Sequence, residues 1–215
     1  MGRLRNGGRV WRQVEPAAAR IIVPCDGPYF TVDITQLFAR RSPLEVEIGA
    51  GRGDFIIERS AAMPDHDFLA IESAATVAQL IALRACRRDL TNLRVIRMDA
   101  RTLVNLMLPD ASVSAYHIYF PDPWPKERQL KHRLFMPSFV SSLARTLRPE
   151  APLFVATDVT QYAERIFALL LNGGFRRLET PVPGATMTGF ARKFLAEGRP
   201  IHAAAFATIR PFTTH

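Results

Sequence analysis

The chain has 215 residues, 48% of them hydrophobic and 22% charged, a globular composition that excludes a disordered chain and suits one domain with a short appendage. Uncharged runs fall well short of the roughly 18 apolar residues that span a bilayer, and the arginine-bearing N-terminus has no apolar core like that of a signal peptide, so neither membrane insertion nor export is expected. Lys and Arg number 28 against 20 Asp and Glu, a net charge of +8 that favours a polyanionic partner. The two cysteines, Cys25 and Cys86, lack metal-ligand spacing and make no disulfide framework, which fits a reduced cytoplasm and argues against structural zinc.

Residues 1–43 read as a basic N-terminal arm, and Met1–Arg12 is expected to be mobile unless it binds something. Within the arm, Ile21–Val23 and Tyr29–Ile34 suggest a short strand or an ordered lead-in, interrupted by Pro16, Pro24, Pro28 and Pro43. From Leu44 the pattern alternates. Strands are predicted at Leu44–Ile48, Phe68–Ile71, Leu93–Ile96, Ala115–Phe120 and Leu153–Ala156, with late strands at Phe175–Glu179 and Ala203–Ile209. Helices are predicted between them at Asp54–Met63, Ala74–Arg88, Ala100–Leu108, Pro137–Leu147 and Val159–Leu171. Such a βαβ series implies a domain over residues 44–215, an α/β fold whose mainly parallel sheet carries helices on both faces. Ligands of such sheets bind outside the carboxyl ends of the strands.

Those ends are acidic in a basic chain. The first strand carries Glu47, the second ends at Glu72, and Asp99, Asp122 and Asp158 follow the next three. Taken singly, Asp99 and Asp158 each precede a helix and read equally well as N-caps, and Glu72 as a solvated loop residue. Five acids on one rim suit a ligand with positive charge and hydroxyl or amine donors. After Glu47 comes Gly49-Ala50-Gly51-Arg52-Gly53, a strand-to-helix loop whose glycines let the backbone approach a nucleoside; no Lys-Ser/Thr follows, so it is not a P-loop. Glu72 lies 19 residues beyond Gly53, near the offset of about 20 at which an acid meets ribose hydroxyls.

This set resembles that of class I, Rossmann-like S-adenosylmethionine-dependent methyltransferases. The resemblance implies that Glu47, Gly49, Gly51 and Gly53 flank the methionine end of the cofactor, that Glu72 takes the ribose, and that Asp99 sits near the adenine.

The fourth strand then runs into Phe120-Pro121-Asp122-Pro123-Trp124-Pro125-Lys126, a loop stiffened by three prolines and continued by Arg128, Lys131, His132 and Arg133. A basic run is often only a solvated face; beside an acidic cofactor rim it suits phosphates. This loop resembles that of the bacterial single-chain tRNA (guanine-N7)-methyltransferases. The similarity extends over about residues 44–209, through Leu108–Ser112, Ala156–Asp158 with Tyr162–Glu164, and Thr188-x-Phe190-x-Arg192-Lys193-Phe194. It implies that Asp122 lies where cofactor and target guanine meet, as the catalytic residue and a cofactor contact. Lys126, Asp158, Thr188, Phe190 and Arg192 would contact the substrate. Two positions depart from the family pattern: Val159 stands where an aromatic residue is usual, and Ala191 where Glu is usual.

Guanine N7 carries a lone pair and no proton, so the implied methyl transfer needs no general base, and alignment can supply up to roughly 7–11 kcal/mol. S-adenosylhomocysteine would be the product, with no metal required. The partner implied is tRNA, in the cytoplasm, with no membrane contact and no obligate protein partner evident. Two other readings are a methyltransferase on another RNA or a small molecule, and a non-catalytic RNA-binding protein of the same fold. Cofactor binding and mapping of the modified nucleotide separate the three.

Overall fold

A computed structural model of the chain describes residues 16–24, 31–124 and 126–209. Residues 1–15, which contain the arm segment expected to be mobile, lie outside the described residues, as do Cys25 and Tyr29–Phe30. In chain order the elements are α1 (Pro16–Ala19), β1 (Ile22–Val23), α2 (Ile34–Phe38), β2 (Leu44–Ile48), α3 (Asp54–Ala62), β3 (Asp67–Glu72), α4 (Ala75–Cys86), β4 (Leu93–Arg97) and α5 (Ala100–Leu106). They continue with β5 (Val113–Tyr119), a 3-10 turn (Glu127–His132), α6 (Pro137–Thr146), β6 (Leu153–Thr157), α7 (Thr160–Asn172), β7 (Phe175–Leu178), α8 (Gly189–Ala196) and β8 (His202–Thr208).

The strands form one sheet in the order β1-β4-β3-β2-β5-β6-β8-β7. Pairings from β1 to β6 are parallel, whereas β8 runs antiparallel to both β6 and β7. Burial on both faces explains the apolar strand sequences. In β3, Phe68 and Ala70 join a core with Phe55 and Ile56 of α3 and Ala78, Ile81, Ala82 and Ala85 of α4. Leu69 and Ile71 point the other way, into a core with Leu103 and Val104 of α5, Phe139 and Leu143 of α6, and Ile166 and Leu170 of α7.

The chain steps outward from β2 through β3 to β4, then returns to place β5 on the other side of β2. The topological switch therefore lies between β2 and β5, where a ligand crevice forms in open α/β sheets. Glu47 on β2 and Asp122 just beyond β5 stand on the two sides of that switch.

Every strand predicted from Leu44 onward forms, with ends moved by a residue or two. Differences lie in short or irregular elements. Ile34, read as the end of a possible strand, instead starts α2, because the Asp33 side chain accepts from Gln36 N–H and caps a helix. Ile22 and Val23 pair with β4, and Val32 and Phe38 enter the core, so these parts of the 1–43 segment pack with the sheet. Helix α8 was not anticipated from the sequence. Thr188 nucleates it, its hydroxyl accepting from Ala191 N–H at 3.0 Å.

Candidate functional site

On β2 two carboxylates lie two residues apart on one face, and their surroundings differ. Glu45 accepts from Arg59 Nε and Nη2, from His117 Nε2 at 2.8 Å, and sits 3.1 Å from His66 Nδ1. Burial raises its pKa, but the hydrogen bonds from His117 and Arg59 outweigh this and bring it down to about 2. Glu47 is also buried, yet its Oε2 has no hydrogen-bond partner. Burial pushes its pKa well up, opposed by the Ile56 N–H and reinforced by the nearby Asp54 and Glu72 carboxylates.

The glycine loop follows. Gly49 and Gly51 have φ of 71° and 51°, and a Cβ at either would meet nothing within 4 Å, so the loop backbone borders open space. Gly53 is held against Ile57 and Ile81. Glu72 braces the loop, accepting from Gly51 N–H at 3.2 Å and Ala74 N–H at 2.9 Å. Asp99 is the N-cap of α5, accepting from Arg101 and Thr102 N–H, and it pairs with Arg101. Capping thus occupies part of its acceptor capacity; burial raises its pKa, and these contacts lower it overall.

Beyond β5 the proline loop is held in an uncommon backbone conformation. Phe120 and Trp124, on either side of Asp122, have φ of 52° and 40°, a region bulky residues seldom occupy. Phe120 N–H donates to Ala156 O at 2.7 Å, and Arg133 Nε donates to Pro123 O at 2.7 Å, so the loop is tied on both sides of Asp122. Asp122 and Lys126 are exposed.

The remaining predicted residues gather around α8. Phe190 is 55% exposed and stacks on Phe194 with centroids 5.9 Å apart. Thr188 serves as cap, so its hydroxyl is engaged. Arg192 reaches Asp54 Oδ2 at 3.1 Å and Met187 O at 2.7 Å. Asp158 pairs with Arg199, whose guanidinium lies 4.2 Å from the Phe194 ring centre. Asp158 is not the cap of α7; that position belongs to Val159. Arg192 therefore ties α8 to the start of α3, and Asp158 ties the segment after α8 to the end of β6. Sequence reading missed Asp54, which bridges Arg84 and Arg192, because an acid opening a helix reads as ordinary dipole complementarity.

Ala191 is fully buried and occupies the third helical position of α8, where the Thr188-x-x-Ala191 pattern keeps the threonine half of a capping box and lacks the returning carboxylate. Val159 packs at the edge of the core. Among the described residues no cluster of three His, Cys, Asp or Glu is arranged to hold a metal, and no helix is long and apolar enough to cross a membrane.

A family model described as a putative methyltransferase matches residues 41–204. Over 195 residues, 84% of each protein, the chain is 35% identical to a tRNA (guanine-N(7)-)-methyltransferase of Syntrophotalea carbinolica. The chain belongs to the tRNA (guanine-N(7)-)-methyltransferase family. It is 36% identical to a family member from Halorhodospira halophila over 80% of this chain and 77% of that one. With one from Chromohalobacter salexigens it shares 39% identity over 67% of this chain and 59% of the relative. Solved structures show the fold: the 16S rRNA methyltransferase KamB (18% identity, TM-score 0.58, 82% and 92% covered) and a SAM-dependent methyltransferase from Aquifex aeolicus (13%, TM-score 0.55, 94% and 97%).

S-adenosylmethionine-dependent chemistry comes with this family and fold. The residues present fit that cofactor. A cationic, amine-bearing group suits the buried carboxyl whose Oε2 is unpartnered at Glu47, and a nucleoside suits the open glycine loop with Glu72 at its edge.

Proposed function

We propose that the chain transfers the methyl group of S-adenosylmethionine to N7 of a guanine in tRNA. Residues 44–215 would form the catalytic domain, with residues 1–43 as a basic lead-in, and the cytoplasm, where tRNA resides, would be its compartment. The observation that carries this reading is the pair of acids at the sheet's switch point. Buried Glu47 and exposed Asp122 stand on either side of the β2–β5 boundary, in a chain of this family. When bound, the cofactor supplies an electrophilic methyl on a sulfonium.

In this proposal Glu47 and the Gly49–Gly53 loop hold the methionine end, Glu72 takes the ribose hydroxyls, and Asp99 borders the adenine. Asp122 orients the guanine through its N–H donors and stabilises the positive charge that N7 gains. N7 has no proton to lose, so Asp122 acts by placement and charge. Phe190 offers its exposed ring to a base, a contact worth about 1–3 kcal/mol, and Lys126 takes a phosphate. Thr188, Arg192 and Asp158 would contact the tRNA as well, besides the internal contacts they make in the free protein.

The test is incubation with labelled S-adenosylmethionine and unmodified bulk tRNA, followed by nucleoside analysis. N7-methylguanosine is the expected product, whereas label in another nucleoside or none in tRNA would reject the reading. Asp122→Asn should lower single-turnover methylation and Asp122→Ala lower it further, with tRNA affinity largely kept because phosphate contacts dominate it. Unchanged rates in both would reduce Asp122 to a turn residue.

A further inference from the structure

Between the proline loop and the start of α7 lies a cleft of about 310 Å3, lined by Pro123, Arg133, Val159, Gln161, Tyr162 and Arg165. Its lining holds two guanidinium groups and no carboxylate. None of the salt bridges among the described residues uses Arg133 or Arg165. Arg133 spends its Nε–H on Pro123 O and lays its guanidinium 5.2 Å from the Tyr162 ring centre.

Tyr162 is the unusual member. It is 2% exposed, and its hydroxyl has at most a loosely aligned hydrogen bond from the Phe135 N–H, which leaves the hydroxyl's own proton without an acceptor. A buried hydroxyl proton without an acceptor is costly, and it calls for one. Burial first of all keeps this group protonated, with its pKa pushed up to about 12. The 13-residue helix α7 also begins here without a side-chain cap, because its cap position is Val159, whose side chain has no acceptor.

The ligand must therefore be an anion with several acceptor oxygens. Two guanidiniums, a hydroxyl and a helix start suit a phosphate better than a carboxylate, since tetrahedral oxygens can meet donors from several sides. Pro123 and Val159 add an apolar border suited to sugar carbons. Pro123 is the neighbour of Asp122, and the Asp122 charge reaches Tyr162.

We propose that this cleft binds a backbone phosphate diester of the RNA substrate, next to the guanosine that meets Asp122. The proposal rests on reading the chain as a tRNA methyltransferase. Arg133 and Arg165 clamp the phosphate, and the Tyr162 hydroxyl donates to it.

Tyr162→Phe and Arg165→Gln test it in the full chain. Tyr162→Phe removes a hydroxyl whose proton has no internal acceptor, so thermal stability should stay level or rise while the KM for tRNA increases. A structural hydroxyl would give the opposite pattern, lower stability with unchanged KM. Arg165→Gln should weaken tRNA binding about fivefold at physiological salt and reduce the slope of log affinity against log salt by about 0.7–0.9. Affinity for S-adenosylmethionine should not change.

Wild-type KM for tRNA and wild-type salt slope in both variants would overturn the proposal. Inorganic phosphate at constant ionic strength separates the sources. If it stabilises wild type but not Arg165→Gln while tRNA affinity is the same in both, the cleft takes free phosphate and the proposal fails. Failure of the parent reading is visible separately, as wild type binding tRNA without forming N7-methylguanosine. The binding and salt measurements still decide the subsite in that case.

Discussion

Glu45 and Glu47 are chemically identical, share one face of β2, and end with opposite protonation preferences. Glu45 spends its carboxylate on Arg59, His66 and His117; Glu47 has the Ile56 N–H, with the Asp54 and Glu72 carboxylates nearby and no basic group acting on it. An acid held this way is a cost carried by the free protein and relieved by a cationic ligand. Glu47→Gln keeps the size and the Ile56 contact while removing the charge. At pH 7.5 it should stabilise the free protein by about 1–3 kcal/mol, or about 2–4 °C per kcal/mol for a domain of this size, and weaken S-adenosylmethionine binding. The sign of the pH dependence follows from the raised native pKa. The native form of Glu47 holds its proton longer than the unfolded form, so stability falls as pH rises from about 4.5 towards the native value, and the advantage of Gln grows over that interval. Thermal melts at pH 4 and 7.5 with calorimetry of cofactor binding would check this. A variant less stable than wild type at pH 7.5 would show that Glu47 has a partner.

At the scale of elements, β5 does more than deliver the proline loop. Its His117 and Tyr119 form a directed chain beneath the site. His117 Nε2 meets the Glu45 carboxylate at 2.8 Å and so must carry the proton; Nδ1 then accepts from the Tyr119 hydroxyl at 2.8 Å. Tyr119 in turn accepts from Gly184 N–H at 3.2 Å, four residues before the cap of α8. Burial holds His117 neutral despite Glu45, and burial keeps Tyr119 protonated, so both roles persist at neutral pH. The chain links the base of α3, through Arg59, to the segment that carries Thr188 and Phe190. Tyr119→Phe leaves Gly184 N–H and His117 Nδ1 unpaired, which should cost about 1–3 kcal/mol and raise the KM for tRNA while S-adenosylmethionine affinity stays the same. Denaturant titration and steady-state kinetics read the two effects separately. Gly184→Ala should be worse, because its Cβ would overlap the Tyr119 ring.

For the whole molecule, the same network predicts sensitivity to acid. The native pKa of Glu45 is depressed to about 2, so its contribution is present above about 4.5 and is lost as pH falls towards 2. The difference from 4.5 corresponds to about 3 kcal/mol. His117 is also depressed, by burial, so stability starts to fall once pH drops below the unfolded histidine value of about 6.5. Chemical denaturation of wild type at pH 7.5, 5.5 and 3.5 should show stability declining at both lower values. Glu45→Gln should be less stable than wild type at pH 7.5 and lose less between pH 4.5 and 3. A wild-type curve flat from pH 7.5 to 3.5 would refute the pairing of Glu45 with His117.

The sequence by itself determined the layered α/β fold, because apolar runs of strand length alternating with amphipathic helices have one economical way to bury themselves. It also determined where the acids and the glycine loop stand, since parallel strands place their carboxyl ends on one rim. Local chemistry was legible for the same reason: the prolines around Asp122 restrict the backbone without help from distant residues. Only the tertiary structure decided which acids are engaged internally. Glu45 and Glu47 look alike in β2 until Arg59 and His117 arrive from 14 and 72 residues away. Asp158 looks like a helix cap until Val159 takes that position and Arg199 pairs with the acid, and nothing local announces that Arg192 pairs with Asp54, 138 residues distant. The cleft at Tyr162 belongs to this second kind. A buried tyrosine on an amphipathic helix reads as core, and that its hydroxyl proton lacks an acceptor is visible only in the folded chain.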